Sequence, residues 1–300
     1  MTVLTRIETT IGSAFGIGRV RVHPLFIALL VGAYFTHLLQ TALLLFTFVM
    51  LHELGHAFTA RFCGYEVEEV SLLPFGGVAK LSYARLGFQP RDEALVAIAG
   101  PFVNLLLCIL SATLYGMHVI DLTLYQQSMQ LNIWIGVFNL LPGLPLDGGR
   151  ILRAARSRQV GYERATMEAY NLAFALSILL MLTGIVALYT GHPHFGMMLL
   201  GLFLFVTAWR GRKDTRAETM RFLDAKRRQD NSVLKMQSLA VRSPTPIRDV
   251  VVQFAPDRYH IVYVLGEDGL VLALLEETEL LDAVFEGRWL EPVMDLVHEP

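Results

Sequence analysis

Long apolar stretches separated by short polar breaks dominate the first two thirds of the chain. Apolar residues run from Leu25 to Leu51, and the polar Thr36, His37 and Gln40 cluster at one point within the run. That cluster predicts a turn at Thr36–Thr41 between helices at about 24–39 and 41–62, the first opened by Pro24, since proline is tolerated at a first helical position. Further apolar stretches at about 94–115, 128–147, 169–190 and 195–209 bring the expected number of spans to six. The shortest, near 15 residues, give about 22 Å of helix against a hydrocarbon core of roughly 30 Å. Five spans with one long first helix is the competing arrangement. After residue 233 the pattern shortens. Val250–Phe254, Ile261–Leu265 and Leu270–Leu275 are apolar runs of strand length, Gly266–Gly269 reads as a hairpin turn, and Thr278–Phe285 has helical periodicity.

Composition agrees with a membrane protein. The chain is 54% hydrophobic and 17% charged, with a mean hydropathy of +0.47, whereas charged residues make up about a quarter of ordinary soluble proteins. The charges are unevenly placed: residues 94 to 147 hold only Asp121 and Asp147, while 210 to 228 hold eight Lys/Arg against three Asp/Glu. Short cytoplasmic loops collect Lys and Arg. With six spans every Lys and Arg falls on one side, and the loops Thr36–Thr41, Gly116–Gln127 and Thr190–His194 have none. Five spans would place Arg6, Arg19 and Arg21 on the opposite side, so six are favoured, with both termini cytoplasmic. A net charge of −2 gives no basic footprint for nucleic acid. Two cysteines, Cys63 and Cys108, suffice for neither a disulfide framework nor a cysteine-rich metal site.

The expected organisation is thus a polytopic α-helical membrane protein of about six transmembrane helices with a small C-terminal cytoplasmic α/β domain. Its parts are a membrane domain over 1–209, a basic helical linker over 210–232 and a soluble module over 233–300. The linker is either a solvated helix or one whose cations meet anionic lipid headgroups.

The second span contains His52-Glu53-Leu54-Gly55-His56. Residues four apart share a helix face, so His52 and His56 can offer two imidazole nitrogens to one ion while Glu53 stands beside them. Such a pair suits Zn²⁺, and an adjacent carboxylate can serve as general base. Ionisable groups inside a span are costly and default to function. A catalytic zinc takes three protein ligands. Asp147, in Asn139-Leu-Leu-Pro142-Gly-Leu-Pro145-Leu-Asp147-Gly, can supply the third, and the helix-breaking Pro142, Gly143 and Pro145 at membrane depth point to a wet cavity. Otherwise Asp147 merely caps the next helix. Asn104, in Gly100-Pro101-Phe-Val-Asn104, is either helix–helix glue or a partner of the metal site.

These three motifs together resemble the site-2 protease family of intramembrane zinc metalloproteases, over about residues 24–165. Six spans followed by one soluble module resemble more narrowly the stage IV sporulation protein FB branch. The resemblance implies one Zn²⁺ per chain on His52, His56 and Asp147, Glu53 as catalytic base, and Asn139 and Pro145 in the active-site region. It also implies that Ser71–Leu81, with Phe75 and Gly76 at its turn, forms a membrane-associated strand that pairs with extended substrate. The implied activity is hydrolysis of a peptide bond near the cytoplasmic face of a bacterial cell membrane. The implied partners are the lipid bilayer, a membrane-associated protein substrate such as a sigma-factor precursor, and membrane inhibitor proteins.

The tail resembles a CBS domain over about 236–296. Such domains work in pairs and only one is present, which implies a homo-oligomer. Nucleotide-binding members carry Thr or Ser, then Asp three residues later, where this chain has Glu276 and Glu279; the substitution speaks against ATP, because an anionic side chain repels a phosphate. A divalent-metal transporter is the alternative from another class, but it would be expected to repeat its polar positions in each half, and no second His-Glu pair lies within the apolar stretches.

Overall fold

The structure, a computed structural model, describes residues 19–22, 24–65, 67–73, 76–81, 88–191, 195–228 and 235–297. The chain divides into two compact units: Met1–Leu86 with Arg91–Leu141 and Leu146–Ile151, and Gly87–Pro90 with Pro142–Pro145 and Leu152–Pro300.

In the first unit α1 (Pro24–Phe35) and α2 (Leu39–Phe62) are separated by the expected turn, where His37 takes a left-handed φ of 58°. β1 (Arg19–Val22) runs parallel to β2 (Val67–Leu73), which pairs antiparallel with β3 (Gly76–Leu81), so Ser71–Leu73 and Gly76–Leu81 pair as the alternation suggests. α3 (Pro90–Gly116) starts on proline, whose missing N–H costs nothing at a helix start, and carries Asp92 and Glu93 against the positive end of its dipole. α4 (Leu122–Asn139) begins earlier than the hydropathy profile suggests because the Asp121 side chain caps it, accepting from the Leu124 N–H at 2.9 Å. It ends at Asn139. Residues 140–146, with Pro142, Gly143 and Pro145, are not helical, and a new helix starts at Asp147.

That helix, α5 (Asp147–Val160), carries Arg150, Arg153, Arg156 and Arg158; hydropathy does not reveal it, because its basic face places it among the polar loops. Gly161, at φ +86°, turns the chain into α6 (Tyr162–Tyr189) and passes so close to the Val252 carbonyl that a Cβ would collide with it. α6 packs along α7 (Phe195–Arg227), with Phe174 and Phe205 meeting edge-on at 5.2 Å between centroids. At 33 residues α7 is about 50 Å long. It joins the last apolar stretch to the basic segment without interruption.

The C-terminal sheet has the order β4 (Lys235–Arg242), β5 (Arg258–Leu265), β6 (Val271–Glu276), with β4 parallel and β6 antiparallel to β5. Val250–Phe254 is not a strand. It spans the end of α8 (Ile247–Val251) and the turn after it, where Val250, Val251 and Phe254 are buried against the sheet. The apolar run buries on a helical turn what alternation would have buried on a pleat. α9 (Glu277–Phe285) follows β6 directly. The core of this sheet includes Phe222 and Leu223 of α7 and Tyr162 of α6, with Tyr162 stacked on Phe222 at 4.7 Å.

Among the described residues four helices, α2, α3, α6 and α7, are long and apolar enough to cross a membrane. α1 has 12 residues, about 18 Å, and α4 has 18. The protein is a mostly helical, multi-pass membrane protein with small sheets.

Candidate metal centre

His52 and His56 lie one turn apart on α2 and Asp147 opens α5; all three are more than nine-tenths buried. Their inner atoms converge. His52 Nε2 and His56 Nε2 are 3.1 Å apart, and Asp147 Oδ2 is 3.1 Å from the first and 3.2 Å from the second. They form the one group of three potential metal ligands among the described residues.

The outer hydrogen bonds decide what these atoms are. The Ser128 carbonyl can only accept, so the Asn132 amide nitrogen, 2.9 Å from it, must face it. Asn132 then presents its oxygen to the Asn104 amide nitrogen at 2.9 Å, which leaves the Asn104 oxygen 2.6 Å from His52 Nδ1. His52 Nδ1 therefore carries the proton and donates. On the other imidazole, His56 Nδ1 lies 2.7 Å from the Val96 carbonyl and must also donate. Both Nε2 atoms are left as bare lone pairs aimed at a carboxylate oxygen. Three buried acceptors at such separations repel one another unless a cation lies among them. Ligands about 2 Å from a tetrahedral ion are about 3.3 Å apart, close to the spacing seen, and two imidazoles with a carboxylate suit Zn²⁺.

Close packing holds the cluster. Gly100 of α3 faces both imidazoles, and a Cβ there would fall on His56 Nε2 and 2.6 Å from His52 Nε2. Gly55 brings α2 against α3 in the same way, since its Cβ would meet the Ala99 carbonyl oxygen at 3.0 Å. At the end of α2 the Tyr65 hydroxyl donates to Asp92 Oδ2 at 2.8 Å, tying α2 to the start of α3. Burial and the neighbouring carboxylate push the Tyr65 phenol well above its ordinary range, so it remains a donor. Arg150 Nη1 lies 3.7 Å from Asp147 Oδ1, the carboxylate oxygen turned away from the imidazoles.

Glu53 is half-buried and lies close enough to His56, His52 and Asp147 to be coupled to them electrostatically. Asn139 sits at the end of α4 with its amide nitrogen donating back to the Ile135 carbonyl at 3.0 Å, so its side chain serves its own helix. Pro145 is exposed, two residues before Asp147, on the far side of a cis peptide from Leu144. Gly76 opens β3, while Phe75 lies outside the described residues, as do His23, His192 and His194.

Asn132 and the Val96 carbonyl take part without having been singled out from the sequence, and Gly100 entered only as part of the Gly100–Asn104 motif. Asn132 carried a readable signal, an amide at membrane depth. The Val96 carbonyl carried none, because a backbone carbonyl has no sequence signature.

Comparison with known proteins agrees with the geometry. A model of peptidase family M50 matches residues 40–126 and 117–182. A zinc metalloprotease of Methanocaldococcus jannaschii is 34% identical over 182 residues, covering 59% of this chain; the chain spans about half (51%) of that relative's length. Stage IV sporulation protein FB of Bacillus subtilis is 30% identical over 273 residues, covering 90% of this chain and 92% of that protein. The solved site-2 protease from Methanocaldococcus jannaschii superposes with a TM-score of 0.52 at 31% identity, over 65% of this chain and 90% of that one.

Proposed function

We propose that this chain, which belongs to peptidase family M50, the site-2 proteases, is an intramembrane zinc metalloprotease that hydrolyses a peptide bond of a membrane-associated protein near the cytoplasmic face. The observation that carries the reading is the convergence of His52 Nε2, His56 Nε2 and Asp147 Oδ2, all acceptors, next to the Glu53 carboxylate. His52, His56 and Asp147 would hold Zn²⁺, which would supply Lewis acidity toward the scissile carbonyl and the attacking water. Glu53 takes the proton from that water and returns it to the nitrogen of the leaving amine. Asn104 and the Val96 carbonyl keep the protons of both imidazoles on Nδ1 throughout, so neither ring turns away or competes for the transferred proton. A substrate helix must unwind to expose its backbone. The sheet order leaves β3 at an edge, where an extended peptide can add as a further strand.

Glu53→Gln is expected to keep zinc and to lose peptide hydrolysis by at least about 100-fold, because the ligands survive while the base is gone. His52→Ala, His56→Ala and Asp147→Ala are expected to lose the metal as well. Zinc content and cleavage of a reconstituted substrate, measured on the same preparations, separate the two groups. Full cleavage by Glu53→Gln would end this assignment. The transporter reading is not favoured, since a path across the membrane needs successive cation sites and the described residues hold one.

The finer reading places six spans in a bacterial cell membrane, α1 and α4 joining the four longer helices, with both termini cytoplasmic. The one-sided placement of Lys and Arg supports it. One polar residue of α4, Asn132, is accounted for by its place in the metal site's hydrogen-bond chain. The membrane domain runs over 1–209, the basic helix over 210–232 and a CBS-like module over 233–300, whose strand-helix-strand-strand-helix order supports the comparison. Met236, Leu272 and Leu274 stand exposed on the sheet face away from the core, which suits pairing with a second copy. The substrate class is a membrane-associated transcription-factor precursor, of the sigma-factor kind, held in check by membrane inhibitor proteins.

A further inference from the structure

Glu163, Met167 and Phe174 of α6, Trp209, Arg212, Lys213, Thr215 and Arg216 of α7, and Arg248 of α8 line a groove of about 550 Å³. Such a volume lies within the roughly 300–1,000 Å³ of ordinary ligand sites. Four of its side chains are cations, and none of the four is ion-paired among the described residues; the one carboxylate is Glu163. Two of the cations lie over aromatic faces instead, Lys213 Nζ 4.1 Å from the Trp209 ring and Arg212 6.0 Å from the Phe174 ring. Repelling cations gathered in this way leave an unmet demand for negative charge.

The groove's position along α7 says which kind. Trp209 closes the apolar stretch of that helix and is followed at once by the basic stretch, and a tryptophan at such a boundary sits at headgroup level. Met167, Phe174 and the Trp209 ring supply the groove's apolar lining, and Arg212, Arg216 and Arg248 its cationic lining. We propose that this groove binds an anionic phospholipid, with the phosphodiester on Arg212, Arg216 and Arg248 and the upper acyl carbons along Met167, Phe174 and Trp209. Guanidinium groups suit this task because they meet phosphate oxygens in pairs. Glu163 selects against a bare polyanion and accepts from hydroxyls of the headgroup. Arg248 belongs to the C-terminal module, so the bound lipid ties that module to α6 and α7. The inference is independent of proteolysis.

Trp209 is its own reporter. The full chain is purified with Trp134→Phe and Trp289→Phe and placed in phosphatidylcholine vesicles containing either brominated phosphatidylglycerol or brominated phosphatidylcholine. Brominated phosphatidylglycerol is expected to quench Trp209 at a several-fold lower mole fraction, since each cation near an anionic surface is worth about five-fold in partitioning. Arg212→Gln with Arg216→Gln is expected to abolish the preference, and Arg248→Gln to weaken it. Arg210→Gln with Arg221→Gln, exposed cations of the same helix outside the groove, is expected to leave it intact. Equal quenching by the two lipids would overturn the proposal, as would a preference lost equally in both pairs of variants, which is diffuse attraction by a basic helix. Reversal of the quenching by millimolar inorganic phosphate would also overturn it, because the ligand would then be a free anion.

Discussion

At the candidate metal centre the direction of each proton matters as well as the identity of the ligands. His52 can point a lone pair inward only while Asn104 holds its Nδ1–H, and Asn104 is oriented only while Asn132 is held by the Ser128 carbonyl. Asn104→Leu, close in volume, is therefore expected to leave the fold in place and to weaken zinc by about 10- to 100-fold, as loss of an outer hydrogen bond to a ligating histidine does elsewhere. Competition with a zinc chelator measures this directly; unchanged affinity would mean that packing alone orients His52. Gly100→Ala is expected to be harsher, because its methyl would occupy the position of the ligand atoms. The three candidate ligands, which the structure brings together, were legible in the sequence for a physical reason: a four-residue spacing puts two histidines on one helix face, and a carboxylate beside a broken span needs explaining. Their supports were legible only in part: Asn104 stood out as a polar residue in a span, but not which atom it holds, since it lies 52 residues from His52 and Asn132 a further 28 along the chain. Nothing local in the sequence records such pairings.

The elements show the same division between local and distant causes. α3 and α6 follow from apolar runs long enough to have one reading, α2 from the polar cluster that parts it from α1, α7 only in its short apolar first half, and the β2–β3 pairing from its alternation. α5 was hidden by its arginines and β4 by its polar side chains, and the Val250–Phe254 run was short enough to read as strand or helix. Glu276 and Glu279 also gain an explanation at this scale. Glu276 is the N-cap of α9 and accepts from the third residue's N–H, while Glu279 accepts from the Glu276 N–H at 2.7 Å, so the two carboxylates form a capping box. Just inside it, Glu277 is buried and accepts from both the backbone N–H and Nδ1–H of His260, at 2.8 and 2.7 Å. His260 Nε2 in turn accepts from the Ala255 N–H at 3.1 Å, so a second proton on the ring would face a donor. Burial accordingly holds the His260 imidazole below its usual 6.5, although Glu277 pulls the other way. The unfolded chain then takes up a proton that the folded one refuses. Stability is full above about pH 6.5 and falls as pH drops below it, by up to about 1.4 kcal/mol per pH unit. Thermal unfolding followed at Trp289, which packs on this core, is expected to show the loss between about pH 7 and about pH 5. His260→Gln should flatten it, and an equal loss in that variant would place the titration elsewhere.

On the scale of the whole molecule, α7 carries the last apolar stretch and the basic stretch as one uninterrupted helix that ends inside the C-terminal module. Its last two turns are part of the module's interior: Phe222 and Leu223 lie in the core, and Lys226 makes a buried pair with Glu277 at 3.0 Å while donating to the Arg258 carbonyl. Fewer than 70 residues of sheet and short helices bury too little apolar surface to be robust alone, and α7 supplies the missing part. A fragment starting at residue 233 would lose both the aromatic packing of Phe222 and the Lys226 cation paired with Glu277. Phe→Ala in a core costs about 3–5 kcal/mol, and leaving a buried charge without its partner costs about as much. Either loss is comparable with the whole stability of a small domain, about 5–15 kcal/mol. The fragment 233–300 is therefore expected to lack a cooperative denaturant transition, and 210–300, which restores Phe222, Leu223 and Lys226, to regain one. Phe222→Ala within 210–300 should return it toward the behaviour of the shorter piece. Equal midpoints for the two fragments would show the module to be self-sufficient, and α7 would then be a tether rather than a lever between the module and the membrane helices.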